Sequence, residues 1–457
     1  MTTVIWWIRR DLRLHDNPAL AQALTGADCV IPVFVLDQRF KPSFAQGRFS
    51  FLIQSLKALR TDLQTLGSSL VLREGDPVHE LSRLIVECGA SKIYAEADYS
   101  PFTRRRDKAV ASVLPLTLVH GLTIHPPGSV VKGDGTPYTI FTPFRNAWLS
   151  LPLDFHEITP PVHLQPHQDL SSIPLPDSHE NPLFPAGEAA ARLRLQEFLK
   201  TSVSNYALER DRMDLEGTSR LSPYIRFGQL SMRYVYAQGL HSAAFSKENS
   251  GISSWLNELI WREFFIHIMA AFPQVMRGAF RPNLRAVPWR DSSADLQAWQ
   301  AGLTGYPLVD AGMRQLAQTG WMHNRARMIT ASFLAKHLLI NWQSGEEWFM
   351  RHLLDGDPAS NNGGWQWSAG TGTDAAPYFR IFNPVLQSRK FDPSGDYIRA
   401  WVPELANVPP NYIHEPWLMP MAVQSACGVR IGKDYPSPVV EHTAARARAL
   451  AAYKTSA

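Results

Sequence analysis

Cysteine is scarce: Cys29, Cys88 and Cys427 are the only three in 457 residues, and they lie far apart. An odd, scattered set excludes a disulfide framework and a cysteine-rich zinc site, and suits a reducing compartment. Long apolar runs are missing too, since none approaches the ~18 residues of a membrane span. The N-terminus lacks a basic segment followed by an apolar one. There is no internal repeat or low-complexity tract, and the first part of the chain has neither a Walker-type phosphate loop nor a dinucleotide glycine fingerprint. Neither sign of charge dominates: 45 Lys plus Arg against 41 Asp plus Glu leaves +4, so any basic face must be local. These absences predict a soluble, cytoplasmic protein with no membrane partner.

What is present supports a large core. Hydrophobic residues make up 45% and charged residues 19%, which excludes global disorder, and the length exceeds the ~100–200 residues of one domain. Over the first ~125 residues, short apolar runs alternate with helical periodicity, the pattern of strands joined by helical crossovers. Val4–Ile8, Cys29–Leu36, Leu70–Leu72 and Lys92–Ala95 read as strands. Asp16 is expected to cap a helix that Gly26 ends. Leu52, Leu56, Leu59, Leu63 and Leu66 mark a second helix, Asp76-Pro77 starts a third, and Ser100–Leu114 is a fourth. The prediction is an α/β doubly wound parallel sheet over 1–125, a proline-rich linker over 126–185, and an all-α domain over 186–457. Its clearest helices are Glu188–Lys200, Ile252–Ala271, Pro307–Gln318 and Asn324–Trp342.

Tryptophan is unevenly placed, with eleven of fourteen between Trp255 and Trp417. Core packing explains any one of them, while a site that stacks planar rings, flavin or nucleobase, explains the excess. Trp255, Glu258 and Arg262 share a helix face with Trp261 beside them, either a surface ion pair or a polar anchor for a ring held between indoles. Asn324, Arg327 and Met328 fall at i, i+3 and i+4, which suits a ligand surface or a solvated helix start. Thr218-Ser219-Arg220-Leu221-Ser222 opens a helix with hydroxyls, suited to a diphosphate or to ordinary capping. The two acids of Asp355-Gly356-Asp357 are read as holding ribose hydroxyls or pairing with Arg327, and Asn361-Asn362 as hydrogen-bonding a heterocycle, with a turn or a metal site as alternatives; no His cluster accompanies the acids. Arg104-Arg105-Arg106 reads as a solvated helix face.

From Trp7-Ile8-Arg9-Arg10-Asp11-Leu12-Arg13-Leu14 to about Trp417 the sequence resembles class I cyclobutane pyrimidine dimer photolyases of the photolyase/cryptochrome family. The likeness is densest in Gly217–Gly228, Trp255–Phe265, Gly305–Met328 and Asp355–Pro384. It implies an antenna-chromophore domain over 1–125 and a domain over 186–457 that binds FAD and DNA. Tyr206, Thr218, Ser219, Arg220, Leu221, Ser222, Trp255, Arg262, Trp321, Asn324, Arg327, Asp355, Gly356, Asp357 and Asn361 match the family's FAD-contacting stretches, with Asn361 facing flavin N5. Glu258, Trp261, Asn324, Met328 and Trp367 match the lesion pocket. Trp365, Trp342 and Trp289 match the chain that carries electrons to the flavin, and Arg226, Arg325 and Arg380 match or neighbour positions that meet DNA phosphates. The implied reaction is light-driven, needs no metal, and acts on a flipped-out dimer in UV-damaged DNA; the flipping of target bases by photolyases is general knowledge of that class. A monomer without an obligate protein partner is expected.

One stretch departs from the folate-binding relatives. Where those carry an amide and a carboxylate for the pterin, Phe102-Thr103 stands here, and Tyr99–Asp107 is closer to deazaflavin-binding relatives. A deazaflavin antenna is therefore expected, with folate, FMN or an empty crevice as alternatives. Three rival functions are weighed: a cryptochrome photoreceptor, a (6-4) photolyase, and a helical nucleic-acid-binding protein without cofactor. Asn361, the Glu258/Trp261/Met328 set and the short stretch after Tyr453 argue against the first. A segment Trp321–Met328 that is not His-rich argues against the second.

Overall fold

The computed structural model describes residues 2–37, 39, 45–167, 170–244 and 250–455. Five parallel strands form one sheet in the order β3-β2-β1-β4-β5: β1 (Thr3–Ile8), β2 (Cys29–Leu36), β3 (Val71–Glu74), β4 (Lys92–Glu96) and β5 (Leu116–Val119). Thr3 pairs with Cys29 on one side of β1, and Val4 with Lys92 on the other. Val4 to Ile8 are all buried, which is why this run is apolar throughout and not alternating. The strand order reverses between β1 and β4, so the ends at Ile8 and Glu96 flank the crevice where such sheets take ligands.

The crossover helices start where their caps dictate. Asp76 Oδ1 accepts from Val78 N at 2.9 Å with Pro77 in the first turn, and Ser100 Oγ accepts from Thr103 N at 3.3 Å. The expected cap at Asp16 is corrected: the helix begins at Pro18, so Asn17 is the capping position, and its Oδ1 accepts from Leu20 N at 3.0 Å. Asp16 instead sits at φ 50°, its carboxylate held by Ser231 and Arg233. On the helix Gln46–Thr65, Leu56, Leu59 and Leu63 form the buried stripe, worth roughly 2 kcal/mol per leucine. β5 is not among the strands the sequence predicts. The proline-rich stretch 126–185 is not wholly irregular, because Phe141, Phe144 and Trp148, at helical spacing, are buried along a helix Phe141–Ser150.

The chain divides into two compact units. The first comprises 1–207, 219–273 and 354–359, and the second 208–218, 274–353 and 360–457. The second unit is helical around a core that includes Trp299, Leu316, Phe333, Trp342, Phe349 and Trp365. The single helix expected from Asn324 to Trp342 is broken. It runs as an α-helix to Ser332 and widens into a π-turn over Phe333–His337, after which Leu339 adopts φ 52°. Asn341 then caps a new helix, Trp342–His352, accepting from Gln343 N at 3.0 Å. A short cap-forming Asn inside an apolar run was the overlooked signal.

Candidate functional site

In the first unit, the helix Ser250–Ala271 carries Trp255, Glu258, Trp261 and Arg262. Trp255 is buried against Phe198, with ring centroids 5.1 Å apart and planes at 54°. Trp261 is stacked face to face on Phe141 at 3.7 Å and 9°, while Phe264 and Phe265 border it. One face of its indole is therefore covered and the ring is fixed. Glu258 is half-buried one helical step away. Arg262 donates from Nη1 to the Leu122 carbonyl at 3.2 Å, and its buried Nη2 meets no acceptor. Burial lowers the pKa of this guanidinium.

The neighbouring Glu263 fastens this helix to the stretch that contains Phe141. Its fully buried carboxylate accepts from Ile124 N, from His125 N at 3.4 Å and from Trp148 Nε1 at 2.7 Å. Burial pushes its pKa up to about 7, and those three donors act against the rise.

Arg10, directly after β1, is a hub. It donates to Asp357 Oδ2 at 2.6 Å, to Asp98 Oδ2 at 3.3 Å and to the Arg226 carbonyl at 3.2 Å. Arg226 in turn donates from Nε to the Gly356 carbonyl at 2.8 Å. Burial and the adjacent Arg10 lower the Arg226 pKa to about 9. Asp357 also accepts from Ala359 N at 3.0 Å, and Asp355 is buried close enough to Arg48 to feel its charge. Gly228 fixes the register of this loop: with φ +64°, a Cβ there would lie 1.7 Å from the Arg10 carbonyl oxygen. Tyr206 is buried, as is Leu221. The short helix Ser222–Arg226 follows Ser219 and Arg220, and no side chain caps it, so ordinary capping does not explain those hydroxyls. Arg220 lies at φ 51°. Arg104 and Arg105 are exposed as expected, but Arg106 is not: it turns inward over the Trp7 ring at 4.9 Å and pairs with Asp107.

In the second unit, Asn324, Arg327 and Met328 share a face, and Asn324 Nδ2 lies 3.8 Å from Met328 Sδ. Arg327 Nε donates to the Met322 carbonyl at 2.8 Å, and Trp321 is buried. Arg325 makes a two-pronged pair with Asp211 at 3.1 and 2.7 Å and lies 4.5 Å above the Phe391 ring. Arg380 is exposed, Trp367 is half-buried, and Thr218 ends the first segment of this unit. Trp342 and Trp365 belong to one hydrophobic core, against which Trp289 packs. Trp365 Nε1 is buried without an acceptor. Asn361 Nδ2 donates to the Glu346 carbonyl at 3.0 Å, which turns its Oδ1 the other way.

Sequence reasoning missed Arg10, Asp98 and Glu346. The position of Arg10 just past a buried strand was the available signal for the first. The first unit tests the expected cofactor: a buried guanidinium N–H on Arg262 without an acceptor suits a ligand rich in phosphate oxygens. FAD fits these residues. Among the described residues no group of three or more His, Cys, Asp or Glu is placed to hold a metal ion, and no helix is long and apolar enough to cross a membrane.

Comparison with known proteins gives the following. Residues 4–164 match the family described as DNA photolyase, and residues 255–455 match the FAD binding domain of DNA photolyase. The chain is 41% identical over 476 residues to the deoxyribodipyrimidine photo-lyase of Escherichia coli (strain K12), covering 100% of this chain and 99% of that one. A bacterial class III photolyase from Agrobacterium tumefaciens superposes with a TM-score of 0.93 at 38% identity, covering 100% and 98% of the two chains. A cryptochrome from Synechocystis sp. superposes with a TM-score of 0.89 at 31% identity, covering 99% of each chain.

Proposed function

Since this chain belongs to the DNA photolyase family, we propose that it splits cyclobutane pyrimidine dimers in UV-damaged DNA under light. FAD is its cofactor, and when bound it supplies the electron that opens the cyclobutane ring. The observation that carries the reading is Trp261: stacked on Phe141, it offers one fixed planar face beside the half-buried Glu258. Such a face gives a splayed-out base stacking area worth roughly 1–3 kcal/mol. Glu258 accepts a hydrogen bond from the pyrimidine, and Asn324, Met328 and Trp367 are assigned to the lesion from their match to the family's pattern.

Arg262, Asp355, Gly356, Asp357, Tyr206, Trp255 and Ser219 to Ser222, with Thr218, Trp321, Asn324, Arg327 and Asn361, are the residues we assign to the cofactor. Trp365, Trp342 and Trp289 carry electrons inward. Arg226, Arg325 and Arg380 are assigned to DNA phosphates; Arg380 is exposed, while Arg226 and Arg325 already have protein partners. The functional division is an antenna domain over 1–125, a linker over 126–185 and an FAD- and DNA-binding domain over 186–457. We assign the antenna to a deazaflavin, with folate or FMN as alternatives, and the protein to the cytoplasm as a monomer.

The test is illumination of FAD-loaded protein with an oligonucleotide that contains thymine dimers. Thymine absorbance recovers in the light and not in the dark. Cryptochrome function, the reading favoured by the Synechocystis likeness, predicts no recovery in either.

A further inference from the structure

Glu346 has no role in the reaction outlined above, yet its main chain holds the expected flavin neighbour Asn361 and its carboxyl holds the next residue, Asn362. It lies on the helix Trp342–His352, facing the helix Pro358–Ala369. Its main-chain carbonyl accepts from Asn361 Nδ2 at 3.0 Å. Its carboxyl Oε1 accepts from Asn362 Nδ2, also at 3.0 Å. Asn362 continues inward: Nδ2 donates to the Val275 carbonyl at 3.2 Å, and Oδ1 accepts from Gln366 Nε2 at 3.0 Å. Gln366 ends the chain by accepting from Phe280 N at 2.8 Å. The amides are thus oriented one after another, and the only group in the chain able to change charge is the Glu346 carboxyl.

The surroundings of that carboxyl leave its charge uncompensated. On its own helix Glu347 pairs with Arg351 on the exposed side. On the facing segment 275–280 the one charged residue is Arg277, which is exposed, and the helix Pro358–Ala369 has none. The adjacent turn Phe333–His337 presents Lys336, bonded to the Arg380 carbonyl, and His337, bonded to His442. Burial pushes Glu346 up to about 7, the Asn362 hydrogen bond acts against the rise, and no charged group contributes. It therefore changes charge near neutral pH.

We propose that Glu346, whose main-chain carbonyl holds Asn361 and whose carboxyl holds Asn362, makes electron uptake by the bound flavin depend on pH through the charge of that carboxyl. This rests on the reading that Asn361 faces the flavin ring. A carboxylate on the residue that holds the ring's neighbour opposes the arrival of a negative charge, while the neutral acid does not. By linkage, a reduced ring favours the protonated form of Glu346 in return.

The test is a spectroelectrochemical titration of the FAD-loaded full chain between about pH 5.5 and 8.5, a window spanning the Glu346 transition. Wild type, Glu346→Gln and Asn361→Asp are compared. Gln keeps the Oε1 acceptor and mimics the neutral acid. The expected result is that the Gln variant matches wild type at the acid end and takes up electrons more readily than wild type at the alkaline end. Equal potentials at every pH, or an offset constant with pH, overturn the proposal. Asn361→Asp is the control for the underlying reading: if it leaves the potential unmoved, Asn361 does not face the ring and both statements fall. A second readout needs no flavin. The difference in unfolding midpoint between wild type and Glu346→Gln should change with pH over the same window, and a constant difference counts against a titrating Glu346.

Discussion

Gly345 is a sensitive probe of whether Trp365 is held where an electron chain would need it. It lies inside the helix Trp342–His352, where alanine is ordinarily the better residue by up to about 1 kcal/mol. Here the packing reverses that expectation. A Cβ at 345 would stand 2.0 Å from Trp365 Cη2 and 2.6 Å from Trp365 Cζ3 and Leu334 Cδ2. Ordinary contact begins at 3.4 Å, so the nearest pair must separate by 3.4 − 2.0 = 1.4 Å. The indole is 2% exposed and edged by Trp299 and Phe349 at 6.0 and 4.9 Å, so it cannot swing away without moving the core. Overpacking of this kind costs about 1–3 kcal/mol. With three contacts to relieve, the upper part of that range applies, and a net loss of about 2 kcal/mol remains after the helix gain. Denaturant unfolding of Gly345→Ala measures this directly, and near-ultraviolet circular dichroism follows the displaced indole. Two of the three clashing atoms, the nearest included, belong to the benzo ring, which phenylalanine does not extend to. Gly345→Ala with Trp365→Phe should therefore lose less than the sum of the single changes, by about 1 kcal/mol or more. A Gly345→Ala protein more stable than wild type, or strict additivity with Trp365→Phe, would refute this account of the packing.

Other outcomes follow from the same structure. Glu258→Ala should lower repair yield more than DNA affinity; comparing photorepair with dimer binding tests this, and an unchanged yield removes Glu258 from the site. Trp342→Phe should block light-driven flavin reduction while enzyme reduced beforehand still repairs, as transient absorption will show. Arg325→Ala should weaken damaged and undamaged DNA alike and reduce the salt slope by about one, whereas Asp211→Asn, which releases Arg325 from its carboxylate, should strengthen both; a loss confined to damaged DNA contradicts a phosphate contact. Glu96 and Glu263, both raised to about 7 by burial, bind protons in the folded chain that the unfolded chain has released. Stability should therefore fall as pH rises from the model-peptide range through 7, by on the order of 1–3 kcal/mol for Glu263, and Glu263→Gln should flatten that slope in a pH series of unfolding curves.

Much of the fold was legible because one physical signal dominated each element. β2 has the bounds read from the sequence, since an eight-residue apolar run between Asp28 and Asp37 leaves no other way to hide its side chains. The third crossover helix was equally plain, as Asp76-Pro77 supplies both a side-chain cap and a pre-set first turn. Failures occurred where two signals competed. The run from Asn324 to Trp342 keeps helical periodicity through a π-turn, because widening one turn shifts the face without breaking the apolar pattern. The helix Phe141–Ser150 was masked by surrounding prolines, although Phe141, Phe144 and Trp148 already stood at helical spacing. β5 is only four residues long and at the sheet edge, with none of its residues buried, so no strong apolar run marked it.

At the candidate site the sequence points to residue types but not to energies. Aromatic and amide positions could be picked from sequence because burying so many indoles and paired amides is costly without a ligand or partner to satisfy them. Charged residues were harder, since a sequence does not say whether an arginine points into water. Arg104-Arg105-Arg106 shows the difficulty within one triplet. Two guanidiniums are solvated, and the third is stacked over Trp7 and lowered to about 10 by burial, with Arg9 adding to the shift. Arg10 shows the opposite outcome: Asp98 and Asp357 outweigh its burial and raise its pKa, while Asp98 falls to about 2. Removing Arg10 would therefore take from two buried carboxylates the guanidinium they bond, leaving Asp98 the weaker fields of Arg226 and Arg9. A loss of about 3–5 kcal/mol is expected for Arg10→Ala, large enough that its main consequence would be for folding. The partners of Arg10 lie 88 and 347 residues away along the chain, and only the fold brings them within reach.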